Sequence, residues 1–167
     1  MKKYVSLVLF SLLSWAVCAK DFPKVILAGD YPDPTILRDG KDYYMTHSPF
    51  YYAPGFLIWH STDLIHWEPV CRALPEYEGS AMAPDLLKYQ GRYYIYYPTS
   101  TGENYVIYAD NIRGPWSKPV KLDVKGIDPG HVVGEDGKRY LFTNNGWITP
   151  LSDDGLKVTG KSRKVYD

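Results

Sequence analysis

The chain has 167 residues, with 19 Lys plus Arg against 19 Asp plus Glu and a formal net charge of zero. That is the length of about one domain, and the balance excludes a nucleic-acid binder or polybasic membrane-surface protein working through bulk charge. With 45 % hydrophobic and 23 % charged residues, the chain has the apolar content of a folding sequence and not the composition of a disordered one. Aromatic residues make up 16 %, including 16 Tyr and 5 Trp, beside 14 Gly and 13 Pro. Aromatics favour strands while Gly and Pro punctuate turns, so the composition predicts an all-β protein of many short strands.

In chain order, residues 1–19 come first. They read as a charged start (Lys2, Lys3), an apolar run from Val5 to Val17, and Val17-Cys18-Ala19 with small residues flanking a cleavage point. The run is about 13 residues, within the range of a signal-peptide core and short of the roughly 20 needed to span a bilayer. This predicts a secretory signal cleaved after Ala19, a periplasmic or extracellular protein and no membrane span. A lipoprotein signal with Cys18 as the lipidated residue is a second reading, although Trp15 stands where such a signal carries Leu. Cleavage leaves Cys71 alone, so no internal disulfide is available, and an isolated Cys packs as a small hydrophobe. His47, His60, His66 and His131 show no zinc-site spacing, so no metal or other cofactor is expected. There is no glycine-rich phosphate loop, Gly-x-Ser-x-Gly elbow or His-Glu-x-x-His either.

From residue 25 onward a repeat organises the chain. Thr35-Ile-Leu-Arg-Asp-Gly-Lys-Asp-Tyr-Tyr-Met45, Leu86-Leu-Lys-Tyr-Gln-Gly-Arg-Tyr-Tyr-Ile-Tyr96 and Val132-Val-Gly-Glu-Asp-Gly-Lys-Arg-Tyr-Leu-Phe142 share one pattern. Each is an apolar strand, a turn at Asp39-Gly40, Gln90-Gly91 or Asp136-Gly137, and a Tyr-rich return strand. Glycine supplies the positive φ that a tight turn demands, which predicts three β-hairpins. A second unit recurs: Phe56-Leu-Ile-Trp-His-Ser-Thr-Asp-Leu-Ile-His-Trp67 resembles Tyr105-Val-Ile-Tyr-Ala-Asp-Asn-Ile-Arg-Gly-Pro-Trp116, each a strand, a polar turn, an apolar residue (Leu64, Ile112) and a Trp opening another strand. Four-stranded units at intervals of roughly 40–50 residues are the signature of a β-propeller. Three blades are expected, over 25–75, 80–122 and 126–167, with 1–19 as the signal and 20–167 as a partial propeller domain. The large aromatic side chains then fill the wedges between blades. Propellers have about four to eight blades, and a half-ring leaves two faces without neighbours, so the sequence reads as the front part of a longer protein.

Just before each hairpin stands an Asp beside a Pro: Pro32-Asp33-Pro34, Pro84-Asp85 and Asp128-Pro129. If these hairpins supply the inner strands of successive blades, three carboxylates enter from equivalent places and converge on one mouth of the channel. Glycosidic bond cleavage requires such convergence: one acid protonates the leaving oxygen, one base activates water, and burial with mutual repulsion separates their pKa values. Asp beside Pro is also a common turn former that accepts backbone N–H bonds, and both readings stand.

Gly29-Asp-Tyr-Pro-Asp-Pro-Thr-Ile-Leu37, Gly55-Phe-Leu-Ile-Trp-His-Ser-Thr-Asp-Leu-Ile-His-Trp-Glu68, Ala83-Pro-Asp-Leu86, and Gly126-Ile-Asp-Pro129 followed by Asp136-Gly-Lys-Arg-Tyr-Leu141 together resemble glycoside hydrolase family 43. Its members include β-xylosidases and α-arabinofuranosidases acting on plant cell-wall polysaccharides. The resemblance runs in order from about residue 25 to the end. It implies a five-bladed propeller, an inverting mechanism, a xylo- or arabino-oligosaccharide substrate and no nucleic-acid partner. Matched position by position, it implies that Asp33 is the general base and that Asp128 tunes the pKa of the acid and orients it. It implies further that Asp85 contacts substrate, with Phe50 and His131 lining the sugar pocket; Trp59 is read as core or pocket wall. The family's general acid is a glutamate in a later blade, and Glu68, Glu76, Glu78, Glu103 and Glu135 lie outside its motif. A chain truncated before that acid is expected to be inactive or nearly so alone. Two alternatives accompany this reading: a non-catalytic carbohydrate-binding or assembly module built on blades, and a misfolding fragment with exposed sheet edges.

Overall fold

The computed structural model describes residues 25–77 and 79–166, so the expected signal at 1–19 lies outside the described residues. Among the described residues the fold is all-β, with twelve strands: β1 (Thr35–Asp39), β2 (Asp42–Thr46), β3 (Gly55–Ser61), β4 (Glu68–Leu74), β5 (Asp85–Tyr89), β6 (Arg92–Pro98), β7 (Glu103–Ala109), β8 (Val120–Lys125), β9 (Gly130–Val133), β10 (Arg139–Thr143), β11 (Trp147–Pro150) and β12 (Arg163–Lys164). They form three four-stranded sheets in chain order, β1–β4, β5–β8 and β9–β12, each an antiparallel meander of consecutive strands. The second sheet runs to Lys125 rather than ending at 122. Among the described residues no sheet closes on itself and no helix is long and apolar enough to cross a membrane.

The first hairpin pairs Asp39 with Asp42, so its loop is Gly40-Lys41 and not Asp39-Gly40; Gly40 has φ 65°. The second pairs Tyr89 with Arg92 around Gln90 (φ 48°) and Gly91 (φ 85°). These positive values suit a two-residue turn whose twist matches the strands. The third differs. Gly134 N–H donates to Lys138 O at 2.9 Å and Gly137 N–H donates to Gly134 O at 2.9 Å, with Gly137 at φ 74°. It is a longer loop closed by a left-handed glycine, not the tight turn expected at Asp136-Gly137.

The second repeat unit has a hydrogen-bond counterpart. Trp67 Nε1–H donates to Leu64 O at 3.2 Å, and Trp116 Nε1–H donates to Ile112 O at 3.2 Å. In each turn an apolar residue thus offers its carbonyl to the indole that follows. Trp67 stands immediately before β4, whereas Trp116 is separated from β8 by Ser117–Pro119.

The middle sheet is covered on both faces, as β6 shows. Side chains alternate across a strand. Tyr93, Ile95 and Tyr97 pack with Phe56, Ile58 and Leu74 of the first sheet, while Tyr94 and Tyr96 pack with Leu141 and Leu151 of the third. Each such side chain contributes roughly 1.5–3 kcal/mol by leaving water. Arg139, 1 % exposed, pins the second interface. Its guanidinium lies 4.4 Å and 4.5 Å from the Tyr89 and Tyr94 ring centres. It donates to His131 Nε2 (2.9 Å), Asp153 O (3.1 Å) and the Tyr96 hydroxyl (3.0 Å).

The opening strands of the three sheets lie side by side, β1 against β5 and β5 against β9. One hydrogen bond recurs between them. The first residue of one opening strand accepts the backbone N–H of the second residue of the next: Thr35 Oγ1 from Leu86 (3.3 Å) and Asp85 Oδ2 from His131 (2.7 Å). Further along, Asp39 accepts from Lys88 Nζ (2.7 Å) and from the Tyr93 hydroxyl (2.5 Å). These pairings put the starts of all three opening strands at one end of the molecule.

Candidate active site

Each opening strand is entered through a residue–proline junction: Asp33-Pro34 before β1, Ala83-Pro84 before β5 and Asp128-Pro129 before β9. The residue ahead of each proline is left-handed, with φ 51°, 39° and 55° respectively. Proline disfavours the right-handed helical region for its predecessor, and a left-handed residue bearing a Cβ costs about 1–2 kcal/mol. Asp adopts this region more readily than most. Strain of this kind persists only where the surroundings enforce it.

The equivalence of the three aspartates is therefore corrected. Asp33 and Asp128 occupy the same station, and Ala83 holds it in the middle sheet. Asp85 lies two positions later, at the start of β5, because its proline precedes it. In place it is half-buried, accepting the His131 N–H, and burial pushes its carboxyl pKa up against that hydrogen bond. One oxygen of Asp85 is thus committed to joining sheets, which limits what it offers a sugar.

Asp33 is exposed, but its carboxylate is tied down. Ser48, 3 % exposed, donates its hydroxyl to Asp33 Oδ2 at 2.5 Å and accepts the Ala83 N–H at 2.6 Å. Ser48 N–H in turn donates to Pro32 O at 2.9 Å. Asp128 is also exposed, on a segment anchored from behind. Asn144 Oδ1 accepts the Ile127 N–H at 3.2 Å, and Asn144 N–H donates to Ile127 O at 2.9 Å. Buried Asn104 donates to Gly126 O at 2.9 Å.

Phe50 is half-buried, with φ 46° and its N–H donated to Ala81 O at 2.9 Å. It lines a cavity of about 400 Å³ with Tyr31, His47, Trp59 and Arg72. Tyr31 meets both His47 (5.0 Å) and Trp59 (5.6 Å) edge-on, and burial lowers the His47 pKa. Trp59 is thus a wall of this cavity. His131 belongs to the interface between the second and third sheets: its ring stacks on Tyr96 at 5.8 Å and 8°, and its Nε2 accepts from Arg139. Burial, with the Arg139 charge second, pushes its pKa down to about 4. The Nε2 is accordingly unavailable to a sugar hydroxyl.

An open cleft of about 590 Å³ begins beside Gly126, two residues before Asp128, and is bordered by Trp147, Asn144, Asn145, Lys125 and Lys161. Trp147 is 43 % exposed there. An exposed indole beside amides and charged groups offers a stacking face and hydrogen-bonding arms together. Sequence reading did not single out Ser48, Asn144 or Arg139. The Asn144-Asn145-Gly146 turn, at the same end as Asp128, was the available signal for the second.

Residues 22–167 match the family model described as glycosyl hydrolases family 43. A xylosidase/arabinosidase of Butyrivibrio fibrisolvens is 33 % identical over 84 % of this chain and 32 % of its own length. A β-xylosidase of Bacillus subtilis is 31 % identical over 85 % of this chain and 32 % of its own length. Among solved structures, a GH43 protein from Bacillus licheniformis superimposes with a TM-score of 0.76 at 32 % identity, covering 84 % of this chain and 32 % of that one. The chain spans about a third of the length of these relatives.

Proposed function

The chain belongs to glycosyl hydrolase family 43, and from that premise we propose that it forms the base-bearing part of an inverting glycosidase acting on xylan- or arabinan-type oligosaccharides. The single observation that carries the reading is the shared left-handed, pre-proline station of Asp33 and Asp128, at the same end of the first and third sheets on either side of the middle one. On this reading the three sheets are successive blades of a propeller with β1, β5 and β9 innermost, an arrangement supported by the recurrent bond between opening strands. The names of the relatives, xylosidase and arabinosidase, support the substrate class. Residues 1–19 support export from the cytoplasm.

In the proposed mechanism Asp33 takes a proton from the attacking water, which adds to the anomeric carbon opposite the departing oxygen. Asp128 orients the group that protonates that oxygen and sets its pKa. Inversion places acid and base about 6.5–9.5 Å apart so that water fits between base and sugar. The resemblance assigns the acid to a glutamate outside these motifs. Glu103, for one, pairs with Lys121 at 2.6 Å and Lys125 at 3.5 Å, and the Lys121 hydrogen bond pulls its pKa down, opposite to what an acid needs. General acid catalysis contributes about 10²–10⁴ in rate, so this chain alone is proposed to turn over natural linkages slowly.

A substrate whose leaving group departs without a proton tests this directly. The purified chain should hydrolyse a dinitrophenyl β-xyloside or α-arabinofuranoside about 10²–10⁴-fold faster, relative to the complete enzyme of a relative, than it hydrolyses xylobiose. Proton NMR should show the inverted anomer first, and Asp33→Ala should abolish the reaction. Retention of configuration, or an undiminished Asp33→Ala, refutes the assignment. Saturable oligosaccharide binding that survives Asp33→Asn, without hydrolysis of either substrate, would instead identify a binding module.

A further inference from the structure

We infer that Ser48 is a positioning residue that holds the Asp33 carboxylate in one orientation and locks it to the neighbouring sheet; its importance for catalysis rests on the reading of Asp33 as the base. Ser48 lies just beyond β2, is 3 % exposed, and uses its hydroxyl twice. It donates to Asp33 Oδ2 at 2.5 Å and accepts from Ala83 N at 2.6 Å. A hydroxyl has one proton to give. With the Ala83 N–H fixed as donor, that proton is directed to the carboxylate, and a short O–H···O bond to an anion is among the stronger ones available. Asp33 is exposed and, without this bond, would be free to rotate about χ1.

Both residues that the hydroxyl joins are left-handed and precede proline, Asp33 at φ 51° and Ala83 at φ 39°. Ala83 has no polar side chain with which to stabilise that conformation. Its N–H instead finds Ser48, and Ala81 bridges Phe50 on one side and Thr99 on the other. One oxygen therefore stabilises the strained entrance to β5 and aims the carboxylate at the entrance to β1. A general base contributes fully only when its acceptor lone pair meets the attacking water in the reactive geometry. Ser48 leaves Asp33 Oδ1 for that role by occupying Oδ2.

The test uses the full chain, and its primary readout needs no turnover. In the wild type the two Hα–Hβ couplings of Asp33, measured by NMR, should take the values of a single staggered χ1 rotamer. In Ser48→Ala both should collapse to rotationally averaged values, while Ser48→Thr, which keeps the hydroxyl, should preserve the wild-type pair. With the dinitrophenyl glycoside, Ser48→Ala should lower kcat and kcat/KM together by about tenfold, and Ser48→Thr should recover most of the loss. If Asp33 stays in one rotamer in a folded Ser48→Ala protein, the inference is overturned. If Ser48→Ala does not fold, Asp33→Asn reports from the other partner. The Ser48 hydroxyl proton should then move upfield on losing an anionic acceptor, and an unmoved proton overturns the inference. Collapsed couplings in Ser48→Ala with a wild type inactive on both substrates sustain the hydrogen bond and count against Asp33 as base.

Discussion

Acidification should weaken the fold through His131, by an amount that the interface between the second and third sheets sets. The ring is stacked on Tyr96, tilted against Tyr89 at 5.8 Å, and accepts the Arg139 Nε–H on its Nε2. Protonation would remove that acceptor and place a second cation beside a buried guanidinium. Burial first and Arg139 second hold the pKa down to about 4, against 6.5 for a free imidazole. Because the folded-state value is depressed and the group is a base, the unfolded chain binds the proton first. Stability from this residue is thus complete above about pH 6.5 and is lost as pH falls toward 4. At about 1.36 kcal/mol per pKa unit the full effect is about 3.4 kcal/mol, and partial solvent access to the ring reduces it to about 2 kcal/mol. Urea unfolding followed by tryptophan fluorescence at about pH 7.5 and about pH 4.5 measures it. His131→Gln offers Arg139 an acceptor that does not titrate, so the stability difference between the two pH values should shrink by about 2 kcal/mol in the variant. His47, also depressed by burial, contributes equally to both proteins and cancels. Equal pH dependence in wild type and His131→Gln would refute the reasoning.

Substitutions at two further positions probe the same interface. Gly155→Ala would put a Cβ against the Tyr96 hydroxyl and 2.5 Å from Arg139 Cζ, at φ 72°. Overpacking with left-handed strain should remove about 2–4 kcal/mol, and an unchanged Tm would contradict the packing described for Arg139. Asp85→Asn keeps an acceptor for the His131 N–H and eliminates a buried charge. Burial raises the carboxyl pKa of Asp85, so the folded wild type binds its proton more readily than the unfolded chain, and its stability from this group rises as pH falls through that raised value. The variant should therefore equal or exceed wild type by about 1 kcal/mol at neutral pH, with the gap closing on acidification. Asp85→Ala, which orphans the N–H, should cost about 1–3 kcal/mol. Equal melting of the Asn and Ala variants would show that the bond to His131 does not matter.

The three-sheet organisation was legible because its signals are local. Tyr-rich return strands, a glycine in each hairpin and a Trp after each polar turn all survive into structure, the last as the matched bonds of Trp67 to Leu64 and Trp116 to Ile112. The pre-proline station that Asp33 and Asp128 share was legible for the same reason. The error at Asp85 came from treating Asp-Pro and Pro-Asp as alike, when the order decides which residue becomes left-handed. Ser48 was invisible because its two partners are distant in sequence and meet only when sheets pack. Arg139 was hidden by its type: arginine is almost never fully buried unless paired, and here two tyrosine faces and three acceptors replace a carboxylate.

The alternation along β6 makes one short run of residues answerable to two neighbours at once. A frame slip by a single residue would carry Ile95 and its companions to the opposite side, exchanging every ring facing β9–β12 with those facing β1–β4. Neither junction could absorb the swap by itself, since the tyrosines that meet Arg139 would be replaced by side chains shaped for Phe56. Insertions and deletions should accordingly be tolerated in the Gln90-Gly91 bend or between Pro98 and Glu103, and eliminated from the five residues Tyr93 to Tyr97.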